Sequence, residues 1–577
     1  MFAEIWVIDW EFGGDPGNPD PRCVTGQEVH SGRQIRLWRD QLNARTPPYR
    51  IDEDVLVVAY YASAEMGCHL AMGWDMPKNL IDAYAEHRVE TNGLRLPLGN
   101  GLLAALAYYG EPGIDAIEKD AMRDLAIRGG VYSDNEKNAL LDYCKSDVEG
   151  LGRLWKHLAP VVLEPSRLPL ALLRGRYMKA AAAIERNGIP VDAPLIEELR
   201  QRTGQIETQL INQVDKSYGV FEGGHFRHAL FAKYLESRNI PWPVTPSGRL
   251  ATDDDTFKEM SRTFPELQPL RELRRTLGQL SLDGLVVRAD SRNAALLSAF
   301  RATTGRNQPS NAAWIFGLPS WMRGLIRPEP RRALAYVDWS QQEFGIAAAL
   351  STDPAMMDAY TSADPYLTFA KQAGAIGESA TKASHPEIRD QFKCAVLATQ
   401  YGQGPESLAK RIRKSPAHAR ELLEYHRKTY PVFWRWSDAV LDFALTRRRL
   451  TTNFGWQIHV GSEANTRSLR NFVMQATGAE ILRIACVLAF ESGIQIAAPV
   501  HDAVLIEAPT SEIDDAVALM QKIMQRASEV ALGGFSLRSD AKLIHSPGRF
   551  LDERGAPMWE LVNRLLRSER KKIAEAA

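Results

Sequence analysis

Apolar runs that end in carboxylates constrain this 577-residue chain more than any other feature. Ala333 to Val337 leads straight into Asp338, followed by Trp339, Ser340, Gln341, Gln342 and Glu343. Far along the chain, Ile494 to Val500 and Val504 to Ile506 flank His501 and Asp502. The first pattern predicts a buried strand with a carboxylate at its end, the second a hairpin with a carboxylate at its tip. Such a carboxylate is costly unless a cation or a partner compensates it. Singly, either aspartate reads as a capping or turn residue. Two of them on adjacent strands are what two-metal phosphoryl transfer requires, because paired cations stabilise both the attacking and the leaving oxygen.

Between these runs, Arg389, Lys393, Leu397 and Tyr401 recur every four residues and share one face of a predicted helix closed by Gly402. Cations beside an aromatic suit a nucleotide, the former for phosphates and the latter for a base. On spacing alone, an amphipathic helix with a charged flank is the simpler reading. Arg467, Asn471 and Gln475 repeat the interval on a later helix, forming a polar stripe able to reach minor-groove acceptors, which are similar for all base pairs.

At the N-terminus Ile5, Val7, Asp9 and Glu11 follow the period of a strand, so the two carboxylates leave the same face. Tyr143 and Asp147 lie one turn apart on a predicted helix. Each pair taken alone also fits an ordinary exposed surface.

The length exceeds what one hydrophobic core organises, so at least two domains are expected. Residues 1–165 mix strands and helices, 166–303 are strongly helical, and 304–577 combine strands with long helices. Lys plus Arg (70) and Asp plus Glu (71) nearly cancel. The net charge therefore does not announce a nucleic-acid partner, although basic clusters at Arg271 to Arg275, Lys410 to Lys414, Arg447 to Arg449 and Arg567 to Lys572 could bind phosphates or form solvated helix faces. No apolar run reaches transmembrane length and the start lacks signal-peptide character, which predicts a cytoplasmic protein with no membrane partner. Five scattered cysteines lack metal-ligand spacing and read as reduced thiols.

In order and spacing, these motifs resemble the DNA polymerase I family, family A. Asp338-Trp-Ser-Gln-Gln-Glu343 is similar to its motif A, Arg389 to Gly402 to its fingers-helix motif B, and Val500-His-Asp502 to its motif C. Thr304-Gly-Arg306 resembles the thumb-to-palm motif, and the Arg467, Asn471, Gln475 stripe the primer-template helix. The resemblance implies that Asp338 and Asp502 bind two Mg²⁺ ions, or Mn²⁺. It implies that Arg389 and Lys393 bind the triphosphate, with Lys393 as proton donor to pyrophosphate, and that Tyr401 packs at the insertion site. Glu343 would be a steric gate against a ribose 2′-OH. His501 would lie near the primer terminus, and Arg306, Arg467, Asn471 and Gln475 would contact primer and template. Three positions depart from the family: Leu397 replaces a usual Phe or Tyr, Ala503 replaces the acid commonly found after the motif C aspartate, and Glu343-Phe-Gly replaces Glu-Leu-Arg.

Asp9, Glu11, Tyr143 and Asp147 resemble the first and third motifs of DEDD-type 3′→5′ exonucleases in the form with tyrosine, where four carboxylates hold two metals. The second motif, usually Asn, three residues, then Asp, here reads Tyr61-Ala-Ser-Ala-Glu65. Glu65 is taken as the fourth acid, with Asp82 as the alternative. The implied architecture is α/β and α+β multidomain: a ribonuclease H-like exonuclease domain over 1–165, a helical thumb region over 166–303, and the palm and fingers of a right-hand polymerase over 304–577. The implied enzyme is a monomeric DNA polymerase with proofreading that acts on primer-template DNA and dNTPs. A chain beginning directly at the exonuclease leaves no room for a 5′ nuclease domain, which points to a phage-encoded replication enzyme. Three alternatives stay open: a polymerase with a weak or inactive exonuclease, a single-subunit RNA polymerase, against which Glu343 speaks, and a non-catalytic DNA-binding protein on a decayed polymerase scaffold.

Overall fold

Alternation along the first strand builds the N-terminal layer. The computed structural model describes residues 2–42, 45–113 and 116–576, without the side chains of 116–119 and 572–576. Strand β1 (Glu4–Asp15) pairs antiparallel with β2 (Asn18–Glu28), which pairs with β3 (Gln34–Trp38). On its other side β1 runs parallel to β4 (Val55–Ala59), which runs parallel to β5 (Asn79–Asp82), giving the order β3-β2-β1-β4-β5. β4 is buried along its whole length, as a central parallel strand covered on both faces must be. Helices α1 (Ser63–Met72), α2 (Ala83–Thr91) and α3 (Asp134–Val162) surround the sheet. Ile5 and Val7 pack against Val148, Leu151 and Trp155 of α3, while Trp6 and Ile8 join the core on the opposite face. A capping box starts α3: Ser133 Oγ accepts from Glu136 N, and the Glu136 carboxylate accepts from Ser133 N.

Helix α4 (Leu168–Asn187) lies against α1 and β5. A Cβ at Gly175 would sit 1.8 Å from the Leu80 carbonyl oxygen, so this close approach requires glycine. The same helix also packs against the helix Thr466–Glu491 and the strand Gln495–Val500, so it lies between the N-terminal layer and the second half of the chain, and shorter helices follow after Asn187. Arg174 of α4 donates from Nε and Nη2 to Glu86 of α2 at 2.6 and 2.7 Å, and from Nη1 to the Phe454 carbonyl at 3.2 Å. Asn92 Nδ2 donates to the carbonyls of Thr303 and Gln457, both at 2.7 Å. These bonds tie the N-terminal layer to the rest of the chain. Glu86→Ala would leave the buried Arg174 guanidinium without its two-bonded carboxylate partner, at a cost of about 3 kcal/mol. A clear fall in the thermal midpoint is the expected result, measurable by calorimetry.

The second sheet is antiparallel throughout. It consists of β6 (Arg332–Trp339), β7 (Gln495–Val500), β8 (Ala503–Pro509) and β9 (Ser539–His545) in the order β7-β8-β6-β9. Helices α7 (Thr466–Glu491) and α8 (Ile513–Ala531) pack on it, α5 (Gln342–Ser351) packs against α7, and α6 (Pro386–Gln400) against α5. Contrary to the sequence expectation, α7 is long and apolar enough to cross a membrane. Its apolar window is 83% buried inside the protein, against neighbours that include α4, α5 and α8, so its composition is that of a core helix.

Candidate active sites

The second sheet brings Asp338 and Asp502 together. Asp338 lies near the end of β6, opposite Ala503 of β8, and Trp339 N donates to the Asp502 carbonyl at 3.1 Å. The turns beside both carboxylates are left-handed at non-glycine residues, Gln341 with φ 50° and His501 with φ 58°. Such strain collects where structure positions function. Burial, then the charges of Asp502 and Asp540, push Asp338 up to about 7. Burial also raises Asp502 and lowers His501. Asp540 was not singled out in the sequence; it enters through the β9 register, which sets it opposite Asp338.

A cavity of about 320 Å³ opens beside these carboxylates, lined by Arg306, Glu343, Leu397, Tyr401, His501 and Asp502. Arg306 Nη2 lies 3.5 Å from Glu343 Oε1. Partial burial and the Glu343 carboxylate push the Tyr401 phenol up to about 12. Tyr401 follows the last helical residue of α6, and Gly402 turns the chain with φ 60°. Gln342, Tyr366 and Gln400 also line the cavity and were missed in the sequence, because nothing in their spacing marks them. Arg389 does not reach this cavity. It lines an adjoining one of about 440 Å³ with Lys382, where its guanidinium pairs with Asp364. The Lys393 ammonium lies 5.9 Å from the centre of the Tyr366 ring. Arg467 and Asn471 line a separate groove of about 520 Å³ with Arg420, Arg427 and Trp434. Gln475 lies one turn further along α7, partly buried.

The departure at Gly345 has a local explanation. A Cβ there would come within 2.4 Å of Leu537 and 2.8 Å of the Tyr360 ring, so no arginine fits. Instead Tyr360 Oη donates to the Ser340 carbonyl at 3.0 Å, and Arg538 Nη2 donates to the Tyr360 carbonyl at 2.8 Å.

In the N-terminal layer, Asp9 and Glu11 continue the β1 face that buries Ile5 and Val7 against α3, one turn beyond which α3 presents Asp147 and Tyr143. Ligand atoms of Asp9, Glu11 and Cys144 lie within 4.8 Å of one another. Cys144 Sγ donates to the Asp9 carbonyl at 3.2 Å, and burial pushes its thiol well up, which keeps it protonated. Glu65, in the first turn of α1, is buried. Burial and the charges of Asp9, Glu11 and Asp147 push it well above the usual carboxylate range. Burial and Asp147 raise the Tyr143 phenol as well. Asp82 is differently employed: it caps α2, accepting from Tyr84 N at 3.1 Å and from Tyr61 N at 2.8 Å.

Both clusters offer hard oxygen donors suited to divalent cations. Glu65 Oε2 and Asp338 Oδ1 are each buried without a hydrogen-bond partner, a state that a cation would relieve. The residues present therefore fit the metals that the resemblance implies.

The model of DNA polymerase family A matches residues 193–542. This chain belongs to that family. Among family A relatives, DNA polymerase I of Aquifex aeolicus is 24% identical over 391 residues, covering 63% of this chain and 65% of that protein. The DNA polymerase of Mycobacterium phage D29 is 24% identical over 395 residues, covering 64% and 62%. The chain thus spans just under two thirds of the length of these curated relatives. The fold is shared with the solved POL domain of Pol1 from M. smegmatis, at a TM-score of 0.68 and 18% identity over 95% of this chain and 96% of that one.

Proposed function

We propose that this family A member is a template-directed DNA polymerase with an N-terminal 3′→5′ proofreading exonuclease. The observation that carries the polymerase reading is that the sheet sets Asp338 beside Asp502, and Asp502 lines a cavity walled by Glu343 and Tyr401. The solved structural neighbour is a complex with DNA primer-template and dNTP, which supports the same ligands here. In this reading the second sheet with α7 is the palm, the helices from Pro354 to Arg447 are the fingers, and the helical arm after Asn187 is the thumb. The five-stranded layer is the ribonuclease H-like exonuclease. The phage relative supports a role in phage DNA replication.

Asp338 and Asp502 would hold divalent cations, Mg²⁺ or Mn²⁺, which stabilise the attacking and leaving oxygens of phosphoryl transfer. Arg389 and Lys393 would take the triphosphate, Arg389 exchanging its Asp364 partner for phosphate oxygens. Lys393 would give a proton to the departing pyrophosphate. Tyr401 would close the base side of the cavity. The Arg467 and Asn471 groove, with Gln475 beyond it, would follow the template, and Arg306 and His501 the primer end. In the N-terminal site Asp9, Glu11, Glu65 and Asp147 would hold the cations while Tyr143 orients the attacking water.

A labelled primer on a longer template, incubated with Mg²⁺, tests the reading. It should lengthen when dNTPs are present and shorten when they are absent; loss of both activities from folded protein would overturn it. Glu343→Ala opens the wall where a ribose 2′-OH would lie. Its ribonucleotide incorporation should rise about ten- to a hundredfold relative to deoxynucleotides, the discrimination one group in a close-fitting pocket carries.

A further inference from the structure

Asp338 has two cross-strand neighbours. β8 sets Ala503 opposite it on one side, and β9 sets Asp540 opposite it on the other. Directly opposed residues hold their Cβ atoms about 4.5–5.5 Å apart, and like charges so placed destabilise a strand pair. Position 503, where the resembled motif commonly carries an acid, holds only a methyl group. The carboxylate stands on the other neighbour instead. We propose that Asp540 is the third carboxylate of the polymerase centre, sharing a divalent cation with Asp338 in place of the acid that Ala503 lacks. This inference rests on the polymerase reading above.

The start of β9 is held in place for such a role. Ser340 N donates to the Arg538 carbonyl at 2.9 Å, and Arg538 N donates to Tyr360 Oη at 3.0 Å. Ser340 Oγ then donates to Asp540 Oδ2 at 2.5 Å, orienting the carboxylate. The brace uses Tyr360 and Arg538, the residues that occupy the space beside Gly345. Asp540 is exposed, whereas Asp338 Oδ1 beside it is buried without a hydrogen-bond partner. Two carboxylates directly opposed across the β6–β9 pair call for a cation between them.

The test uses the full chain carrying Asp9→Ala, which disables the N-terminal cluster, and follows free Mn²⁺ by electron paramagnetic resonance. Asp540→Asn keeps the side-chain shape and an oxygen for Ser340. It should weaken Mn²⁺ binding about ten- to a hundredfold, the scale of lost carboxylate support at a metal site. The Mg²⁺ concentration for half-maximal primer extension should rise by a similar factor. Asp540→Glu, which keeps the charge, should bind within a few fold of the parent; a defect shared by both variants would mark lost structure and overturn the proposal. If Asp338→Asn weakens Mn²⁺ binding and Asp540→Asn does not, the proposal fails while the polymerase reading stands. If neither weakens it, that reading fails as well.

Discussion

Asp338→Ala is expected to lower primer extension by roughly three orders of magnitude, the upper scale for loss of one preorganised electrostatic contact at a transition state. Shortening of the primer 3′ end should continue at the wild-type rate. The separation follows from position. Asp338 belongs to β6 of the second sheet, whereas Asp9 and Glu11 belong to β1 of the first, and among the described residues no strand pairing joins the two sheets. Folding should survive the change, because removing one of the opposed acids Asp338 and Asp540 relieves repulsion at the β6–β9 pair. Extension and shortening assays on one labelled primer, with circular dichroism as the folding control, measure all three effects. Simultaneous loss of both activities from a folded variant would mean that the two sheets do not house separate centres.

Glu65→Gln should reduce 3′-end shortening by about a hundredfold or more, and Asp82→Asn should leave its rate within a few fold. Glu65 is the acid that feels Asp9, Glu11 and Asp147. Asp82 spends one oxygen on the backbone of Tyr61 and Tyr84 as the cap of α2. Its replacement should therefore appear in stability, at about 1 kcal/mol for a weakened cap. Single-turnover degradation of a labelled oligonucleotide, paired with thermal unfolding, distinguishes the roles. A strong loss of shortening in Asp82→Asn with Glu65→Gln unaffected would reverse the assignment.

What the sequence made legible follows from the range of each interaction. Asp9 and Glu11 were visible because strand alternation is local, and Asp147 and Tyr143 because helix periodicity is local. The hairpin carrying Asp502 announced itself through the apolar runs on either side of it. Glu65 was preferred to Asp82 from its place in the motif alone, because the physical difference between them lies in a helix cap and in charges contributed by β1 and α3. Asp540 was invisible for a stronger reason. Its relation to Asp338 is a register between β6 and β9, strands separated by about a third of the chain, and a one-residue slip would turn it to the other face. The Gly345 departure likewise became intelligible only once Tyr360 and Leu537 occupied the space where a side chain would go.

The most direct test of the central claim is single-nucleotide extension. Wild-type chain, Mg²⁺ and a labelled primer are combined with four templates that differ only in the first unpaired base, each supplied with one dNTP at a time. The account predicts one-nucleotide extension by the complementary dNTP on each template and little by the other three. Extension that ignores the template base, or no extension by any dNTP from folded chain, would contradict it.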